Sequence, residues 1–252
     1  MPKLRVIPRL DIKSSFLIKS VRLEGLRKLG SPGEFAEKYY GSGADELLFN
    51  DCVASLYGRN SLLDIVAETA SNIFIPLTVG GGIVSVEEAQ KLFRSGADKV
   101  SLNSGAIKNE FLISRLADIF GSQAVVVEIQ AKRNSENSWE ALYENGREHS
   151  GLNAIEWALR VEELGAGEIL LTSVDREGTT EGFDVELASE ILDVVSIPVI
   201  VSGGMGKLEH LGELLQATEV SAISCAHVLH YDQLSVGEIK AYLASINRDV
   251  RL

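Results

Sequence analysis

The feature that most limits the fold of this chain is an internal repeat of short segments at a nearly constant spacing. Two of the repeated pairs are 122 residues apart, and the third pair is 119 residues apart. Three matches in chain order indicate two halves that are built from the same supersecondary units. In chain order the pairs are residues 9–13 with 128–132, 43–48 with 165–170, and 76–82 with 198–204.

Apolar runs rich in Val, Ile and Leu alternate along the chain with longer stretches of helical pattern. Such runs are typical of buried parallel strands in βα units. Pro32 suits a first helical position, and Asn109 and Asp184 suit helix N-caps. The predicted strands are 5–10, 46–49, 76–79, 99–102, 124–129, 168–172, 198–201 and 221–224, and the predicted helices include 32–42, 86–95, 109–120, 155–164 and 184–194.

Eight βα units in 252 residues predict an α/β fold, a (β/α)8 or TIM barrel with a twofold half-barrel repeat. The repeat disfavours the alternative architecture, a doubly wound sheet. We expect one domain over residues 1–252, with half-barrels at about 1–122 and 123–252. The longest irregular stretch, 134–150, contains Asn145 followed by Gly146, which is a hairpin-turn signal. We therefore expect a small β-hairpin after the fifth strand.

Composition disfavours several classes of function. The chain has 24 basic and 36 acidic residues and a net charge of −12, whereas a nucleic-acid binder normally shows a basic face. Cys52 and Cys225, the two cysteines, exclude a disulfide scaffold and a four-cysteine zinc site. The sequence shows neither a membrane-length apolar run nor an apolar signal core at its start. We expect a soluble cytoplasmic protein that binds no membrane, metal or cofactor.

Glycine-rich turns follow the third and seventh predicted strands. In a barrel of this type the active site lies at the C-terminal ends of the strands, where glycines let backbone N–H groups approach a phosphate. A turn of small residues follows one strand later in each half. Because both turns recur at matching positions, we expect two phosphate sites and a ligand with a phosphate at each end, rather than simple tight turns. The turns are 80–82 and 103–104 in the first half, and 203–204 and 226–227 in the second.

Two aspartates end predicted strands between these two sites. Asp11 follows the first strand and Asp51 the second, and a carboxylate there can take or release a proton. The repeat mate of Asp11 is Gln130, whose amide cannot ionise. Lys19 could neutralise a phosphate, although for a single lysine the residues alone favour a solvated surface charge.

Four charged residues open strands at the opposite end of the predicted barrel. Side chains alternate along a strand, so Arg5 points into the barrel if Asp11 does. Two cations and two anions then surround the barrel axis at its bottom, and the residues alone favour a structural salt-bridge plug. We call these four residues the bottom ring: Arg5, Glu46, Lys99 and Glu168.

Five segments match a known family closely: RVIPRLDIK (5–13), TVGGGI (78–83), GADKVSLN (96–103), FGSQAVVV (120–127) and GAGEILLTSVDR (165–176). Through them the chain resembles HisF, the cyclase subunit of imidazole glycerol phosphate synthase, over essentially its whole length. The resemblance implies that a HisH-like glutaminase docks at the barrel bottom and releases ammonia into the barrel. It further implies that this ammonia attacks a bis-phosphorylated ribulosyl substrate at the top, in histidine biosynthesis.

The resemblance also implies roles for single residues. The bottom ring matches the family's gate at the ammonia entrance, and Asp98 matches a residue at the glutaminase interface. Asp11 matches one of two catalytic aspartates, whereas Gln130 stands where the family has the other. Because an amide cannot shuttle a proton, this replacement bears directly on the cyclase activity. The positions that match substrate and phosphate contacts are Lys19, Asp51, Gly82, Asn103, Ser104, Glu177, Gly178, Gly204, Ala226 and His227.

Arg9 and Glu128 depart from the family, which usually has a small residue at each position. They are repeat mates, and both face the barrel interior by alternation. Each charge alone is costly to bury, so the double change is consistent with a pair. We predict an Arg9–Glu128 ion pair inside the barrel, with Asn50 nearby, that serves as a second gate or blocks the ammonia channel.

Three other functions remain open from the sequence. The lost aspartate fits a paralogue that supplies ammonia for the amidation of a glycan sugar and has lost the cyclase chemistry. The half-barrel repeat and two phosphate sites also fit a phosphoribosyl sugar isomerase, although an isomerase needs no ammonia gate. The third is a non-catalytic barrel that binds a glutaminase and passes ammonia to another protein.

Overall fold

The computed structural model describes residues 3–52, 62–136 and 138–251, and its central feature is a closed parallel barrel. The described strands are β1 (Arg5–Lys13), β2 (Phe16–Val21), β3 (Glu24–Gly30), β4 (Leu47–Asp51), β5 (Leu77–Gly80), β6 (Lys99–Leu102), β7 (Val125–Ser135), β8 (Ser138–Tyr143), β9 (Glu148–Asn153), β10 (Glu168–Ser173), β11 (Val199–Ser202) and β12 (Ala222–Cys225). Parallel pairing runs in the order β1-β4-β5-β6-β7-β10-β11-β12, and β12 pairs with β1. The predicted TIM barrel with its eight strands is confirmed, and barrel closure excludes a doubly wound sheet.

Helices cover the outside of the barrel with their apolar faces. In α7, for example, Leu187, Ala188 and Ile191 recur at helical spacing and are buried. No helix of the described residues is long and apolar enough to cross a membrane. The described helices are α1 (Pro32–Gly41), α2 (Leu63–Asn72), α3 (Val86–Arg94), α4 (Ser104–Lys108), α5 (Phe111–Phe120), α6 (Ala154–Glu163), α7 (Val185–Val194), α8 (Glu209–Ala217), α9 (His227–His230) and α10 (Val236–Ser245), with a 3-10 turn at Ser122–Ala124.

The helix-start predictions are confirmed at two of three positions. Pro32 is the first residue of α1, and the Asp184 carboxylate accepts a hydrogen bond from the Leu187 N–H at the start of α7. The predicted N-cap at Asn109 is wrong. Asn109 instead ends the short helix α4, because its N–H donates to the Gly105 carbonyl, and α5 begins two residues later without a side-chain cap.

Two antiparallel hairpins extend strands on opposite walls of the barrel. The predicted hairpin after the fifth barrel strand is confirmed, since β8 and β9 follow β7 and turn through Asn145 and Gly146, both at positive φ. A second hairpin, β2–β3, extends β1 and was missed. Its turn places Arg22 and Leu23 at positive φ, which these residue types rarely adopt, so it carries no turn signal.

The barrel interior changes character along its axis. The bottom ring lies at the N-terminal ends of the strands, and an apolar layer of six buried residues follows it. Above this layer the inward-facing residues of β1 and β7 are Arg9 and Glu128, and the strand ends beyond them carry Asp11 and Gln130. The barrel therefore separates a charged bottom from a polar top by an apolar band. The apolar layer is Ile7, Leu48, Val126, Leu170, Ile200 and Ala222.

Candidate functional site

The four residues of the bottom ring form a continuous network of ion pairs. Arg5 donates to Glu46 over 3.0 Å and also to Glu168. Lys99 donates to the same two carboxylates, over 3.0 Å to Glu46 and 2.9 Å to Glu168. Burial by itself lowers the pKa of Arg5, but Glu168 and Glu46 outweigh it and the pKa is raised. Arg5 therefore stays charged, and each cation of the ring is shared by both anions.

The rim beside this ring carries an acidic residue and an exposed aromatic one. Asp98 is exposed at the start of β6, and its Oδ2 accepts a hydrogen bond of 2.9 Å from the Leu77 N–H. That bond holds one carboxylate oxygen of a residue that is otherwise exposed. Phe74, which the sequence interpretation missed, is 80% exposed and lines the same groove as Asp98. A phenylalanine with so large an exposed fraction is a candidate anchor for a partner protein.

A buried cluster of four side chains lies above the apolar layer. The Arg9 Nη1 donates to Glu128 Oε1 over 2.7 Å and to Thr172 Oγ1 over 3.0 Å, while Nε donates to Asp11 Oδ1 over 2.9 Å. The exposed fractions of Arg9, Asp11 and Glu128 are 1%, 2% and 4%. The Arg9–Glu128 ion pair is therefore present, and the Asn50 amide lies 3.5 Å from Asp11. We call Arg9, Asp11, Glu128 and Thr172 the central cluster.

The electrostatics of the central cluster favour the charged forms of Arg9 and Asp11. Burial lowers the pKa of Arg9, but Asp11 and Glu128 outweigh burial and raise it well above the usual value. Burial raises the pKa of Asp11, but Arg9 and Lys19 outweigh burial and hold it below the usual value. Asp11 is therefore a carboxylate at neutral pH that accepts hydrogen bonds, and it is a weak base.

Gln130 lies across the barrel from Asp11, at the end of the inward-facing positions on β7. Its side chain is 2% exposed, and its Oε1 has no hydrogen-bond partner among the described residues. A buried amide oxygen without a partner is costly unless a ligand or water satisfies it. Gln130 can therefore orient a bound group by hydrogen bonding, although it carries no transferable proton.

The first predicted phosphate position lies in a pocket beside Gln130. Gly82, Asn103 and Ser104 line it together with Asp51, so the structure brings these predicted residues together. Neither atom of the Asn103 amide group has a hydrogen-bond partner among the described side chains and backbone. The same pocket is lined by Asn145, which the β8–β9 hairpin carries over it, and sequence reasoning assigned Asn145 to the turn alone.

The β8–β9 hairpin is attached to this pocket by Ser104. The backbone N–H of Glu144 donates to Ser104 Oγ over 2.9 Å, and the Glu144 carboxylate pairs with Lys108 at the end of α4. The Ser104 hydroxyl keeps its own proton free to donate toward the pocket. This contact explains why a turn 40 residues further along the chain covers the first site.

The second predicted phosphate position is built around two glycines at positive φ. Gly204 has a φ of +98°, and a Cβ there would lie 2.0 Å from the Gly182 carbonyl oxygen. Gly178 has a φ of +72°, and a Cβ there would lie 2.5 Å from the Ser20 oxygen of β2. Both positions therefore require glycine, because any side chain would push these turns apart.

Charged side chains lie beside the second position. Lys19 of β2 is buried and pairs with Glu177, so the interpretation of Lys19 as a solvated surface charge is wrong. Ala226 and His227 lie at the start of α9, and burial lowers the pKa of His227. The Nδ1 atom of His227 has no hydrogen-bond partner in the described part of the chain. A neutral imidazole and a paired lysine thus face the same strand ends.

The described residues contain no cluster of three or more His, Cys, Asp or Glu side chains that could hold a metal ion. The fold and the site define a TIM-barrel protein with a charged ring at one end and two glycine-lined positions at the other. A family model described as "Histidine biosynthesis protein" matches residues 5–235. The chain belongs to this histidine biosynthesis family.

Three similar proteins carry the name "Imidazole glycerol phosphate synthase subunit HisF". One from Legionella pneumophila is 59% identical over 209 residues, which cover 83% of this chain and 99% of the relative. One from Bacillus cereus (strain Q1) is 48% identical over 248 residues, 98% of each chain. One from Clostridium botulinum (strain Okra / Type B1) is 47% identical over 249 residues, again 98% of each chain. These names support the cyclase-subunit interpretation, and neither the isomerase nor the glycan-amidation alternative receives support from them.

Proposed function

We propose that the chain is the ammonia-dependent cyclase-type subunit of an imidazole glycerol phosphate synthase, working in the cytoplasm. Its substrate is a bis-phosphorylated ribulosyl compound of histidine biosynthesis, and a HisH-like glutaminase supplies the ammonia. The observation that carries the proposal is the pair of glycine-lined positions at the C-terminal strand ends, one in each half of the chain. We further propose one domain over residues 1–252, divided into half-barrels at about residue 122.

The two phosphates of this substrate would bind at the two glycine-lined positions. At the first, the Ser104 hydroxyl and the Asn103 amide donate hydrogen bonds. At the second, Gly178 and Gly204 let the backbone approach the ligand, and Lys19 supplies the positive charge. Two anchors on opposite sides of the barrel mouth hold the middle of the substrate over Asp11 and Gln130.

Asp11 is the group that we assign to proton transfer. Its carboxylate is ionised and can accept a proton from the attacking nitrogen. Gln130 positions the substrate through its unpartnered oxygen but cannot return a proton. Because Arg9 and Lys19 make Asp11 a weak base, we expect slow cyclisation.

The glutaminase would dock on the bottom face around the bottom ring. The exposed Asp98 supplies a carboxylate there, and Phe74 presents an apolar surface in the same groove. An exposed aromatic residue beside polar side chains is typical of a protein interface, where aromatic residues are enriched and the rim is polar. The bottom ring then lies directly under the docked partner, as an entrance gate for ammonia.

The experiment that tests this function supplies the ribulosyl substrate with ammonium salt and measures imidazole glycerol phosphate by mass spectrometry. We expect product from the purified chain and a loss on the order of 10²–10⁴-fold in Asp11→Asn, the usual contribution of a general acid or base. Gln130→Asp should raise the rate, because it restores a second ionisable group. Asp118→Asn, an exposed position on α5, is the matched control and should keep the wild-type rate. Absence of product from the wild-type chain at saturating ammonium would refute the proposal.

A further inference from the structure

The Arg9 side chain reaches from one wall of the barrel to the opposite wall. In the closed strand order β1-β4-β5-β6-β7-β10-β11-β12, three strands separate β1 from β7 in either direction. The two strands are therefore diametrically opposed. An ion pair of 2.7 Å between Arg9 on β1 and Glu128 on β7 must cross the barrel axis.

This bridge lies directly above the apolar layer. Arg9 comes two residues after Ile7, Glu128 two after Val126, and Thr172 two after Leu170, so each bridging residue follows a member of that layer on its own strand. Residues two apart on a strand face the same side and are adjacent along it. A small molecule that leaves the apolar layer along the axis therefore meets the guanidinium first.

Three acceptors hold the guanidinium in this position. Nη1 is shared between Glu128 Oε1 and Thr172 Oγ1, and Nε bonds to Asp11. The Thr172 hydroxyl also donates to Glu128 Oε1 over 3.1 Å, so the acceptor itself is fixed. Charge-assisted bonds at both ends of a planar group restrict its rotation more than a single contact does.

We propose that Arg9 is a second gate, which closes the barrel axis between the apolar layer and the top of the barrel. This inference rests on the proposed function, in which ammonia travels from the bottom ring to Asp11. The gate opens when Nη1 leaves Glu128 and Thr172 while Nε keeps its bond to Asp11. Glu128 keeps the Thr172 hydroxyl as a donor in the open state, and the guanidinium charge opposes ammonium ions while neutral ammonia passes.

The gate is also coupled to the reacting end of the barrel. Asp11 accepts from Arg9 and is the group that we assign to proton transfer. A ligand that draws Asp11 toward itself pulls on Nε and loosens the bridge to Glu128. Arg9 therefore acts through Asp11 and the passage as a positioning residue.

The first experiment compares two ammonia sources in the complex with the glutaminase. Product formation is measured with glutamine and, separately, with ammonium salt, for the wild type and for the double variant Arg9→Ala/Glu128→Ala. Both routes end in the same chemistry at Asp11, so the ratio of the glutamine-driven rate to the ammonium-driven rate cancels any effect on that chemistry. In the double variant the two hydrogen bonds of Arg9 Nη1 are absent and need not break before ammonia passes. The ratio should therefore exceed that of the wild type by on the order of tenfold or more.

The matched control is Arg160→Ala/Glu110→Ala, which removes a pair of 2.7 Å between Arg160 on the outer helix α6 and Glu110, the residue before α5. Its ratio should equal that of the wild type. An unchanged or lower ratio in the Arg9→Ala/Glu128→Ala variant would overturn the gate. Loss of product in the ammonium arm of the wild type would instead refute the proposed function, so the two failures are distinguishable.

A second measurement uses the wild-type chain alone and needs neither folding of the variant nor cyclase activity. Proton exchange at the Arg9 Nη1–H groups, which must leave Glu128 and Thr172 when the gate opens, is followed by nitrogen NMR in arginine-labelled protein, with the exposed Arg147 as reference. A closed gate predicts exchange at the Arg9 Nη1–H groups that is slower by on the order of 10²-fold or more, because these groups are buried and bonded to Glu128 and Thr172. Exchange as fast as that of Arg147 would show an open side chain and overturn the proposal.

Discussion

Removal of the Arg9 guanidinium should destabilise the protein strongly, because two buried carboxylates would remain without it. Arg9→Ala leaves Asp11 and Glu128 at 2% and 4% exposure. Breaking one buried ion pair costs about 3–5 kcal/mol. Since both carboxylates lose the same cation, we expect a loss near the upper value, about 5 kcal/mol. For a chain of this size 1 kcal/mol shifts the unfolding midpoint by about 2–4 °C, so Arg9→Ala should unfold roughly 10–20 °C earlier.

Two comparison variants separate the charge effect from lost packing. Arg9→Met/Glu128→Leu removes both charges of the ion pair at similar volume, and it should be less destabilised than Arg9→Ala, since replacing a buried pair by apolar residues is often neutral. Arg160→Ala removes an arginine of the same length from an exposed ion pair and should leave the midpoint unchanged. Urea and thermal unfolding at pH 7, followed by circular dichroism and by the fluorescence of the buried Trp139 and Trp157, supply the free energies.

The stability difference between Arg9→Ala and the wild type should depend on pH. In the wild type the pKa of Asp11 is lowered, so its stabilising contribution is present above the unfolded value of about 3.9 and is lost as pH falls through the folded value. In Arg9→Ala the buried Asp11 carboxylate loses the cation that lowers its pKa and is protonated more readily, so the difference in stability between the two proteins should shrink in acid. A cost below about 1 kcal/mol at pH 7, or a difference that grows in acid, would refute the assignment of Arg9 as the counter-ion.

Further predictions concern residues outside the central cluster. Burial lowers the pKa of His230 to about 4, against about 6.5 when unfolded, so stability should fall by about 3 kcal/mol between pH 6.5 and pH 4. His230→Gln should flatten that slope in urea titrations, and an equally steep slope would contradict it. Ser235→Ala removes the side-chain cap of α10 and should cost about 1 kcal/mol in the same unfolding assay, whereas an unchanged midpoint would count against the cap. Burial raises the pKa of Cys225 to about 12, and burial also raises the pKa of Cys52. The native protein should therefore leave thiol reagents unreacted at pH 8, and labelling before unfolding would disprove this.

Much of the barrel could be predicted because its signals are local or periodic. The eight parallel strands follow from apolar runs, and the inward position of Arg5 and Glu46 follows from strand alternation. The glycine turns could also be predicted from a local signal, because Gly204 adopts a positive φ that other residues avoid. The N-cap prediction at Asn109 was wrong because a residue suited to an N-cap also fits the end of a short helix. Only the path of the chain decides between the two positions.

The sequence by itself determined the repeat, the strand order of a TIM barrel and the pairing of Arg9 with Glu128, since two buried charges at repeat-related positions require each other. Only the tertiary structure decided that Arg9 also binds Asp11 and Thr172, that Lys19 is buried against Glu177, and that Asn145 covers the first phosphate position. The physical reason is distance along the chain: Arg9 and Thr172 are 163 residues apart, and barrel closure brings them together. A side chain that faces the interior can reach several strands, and the positions of all the walls select its partners.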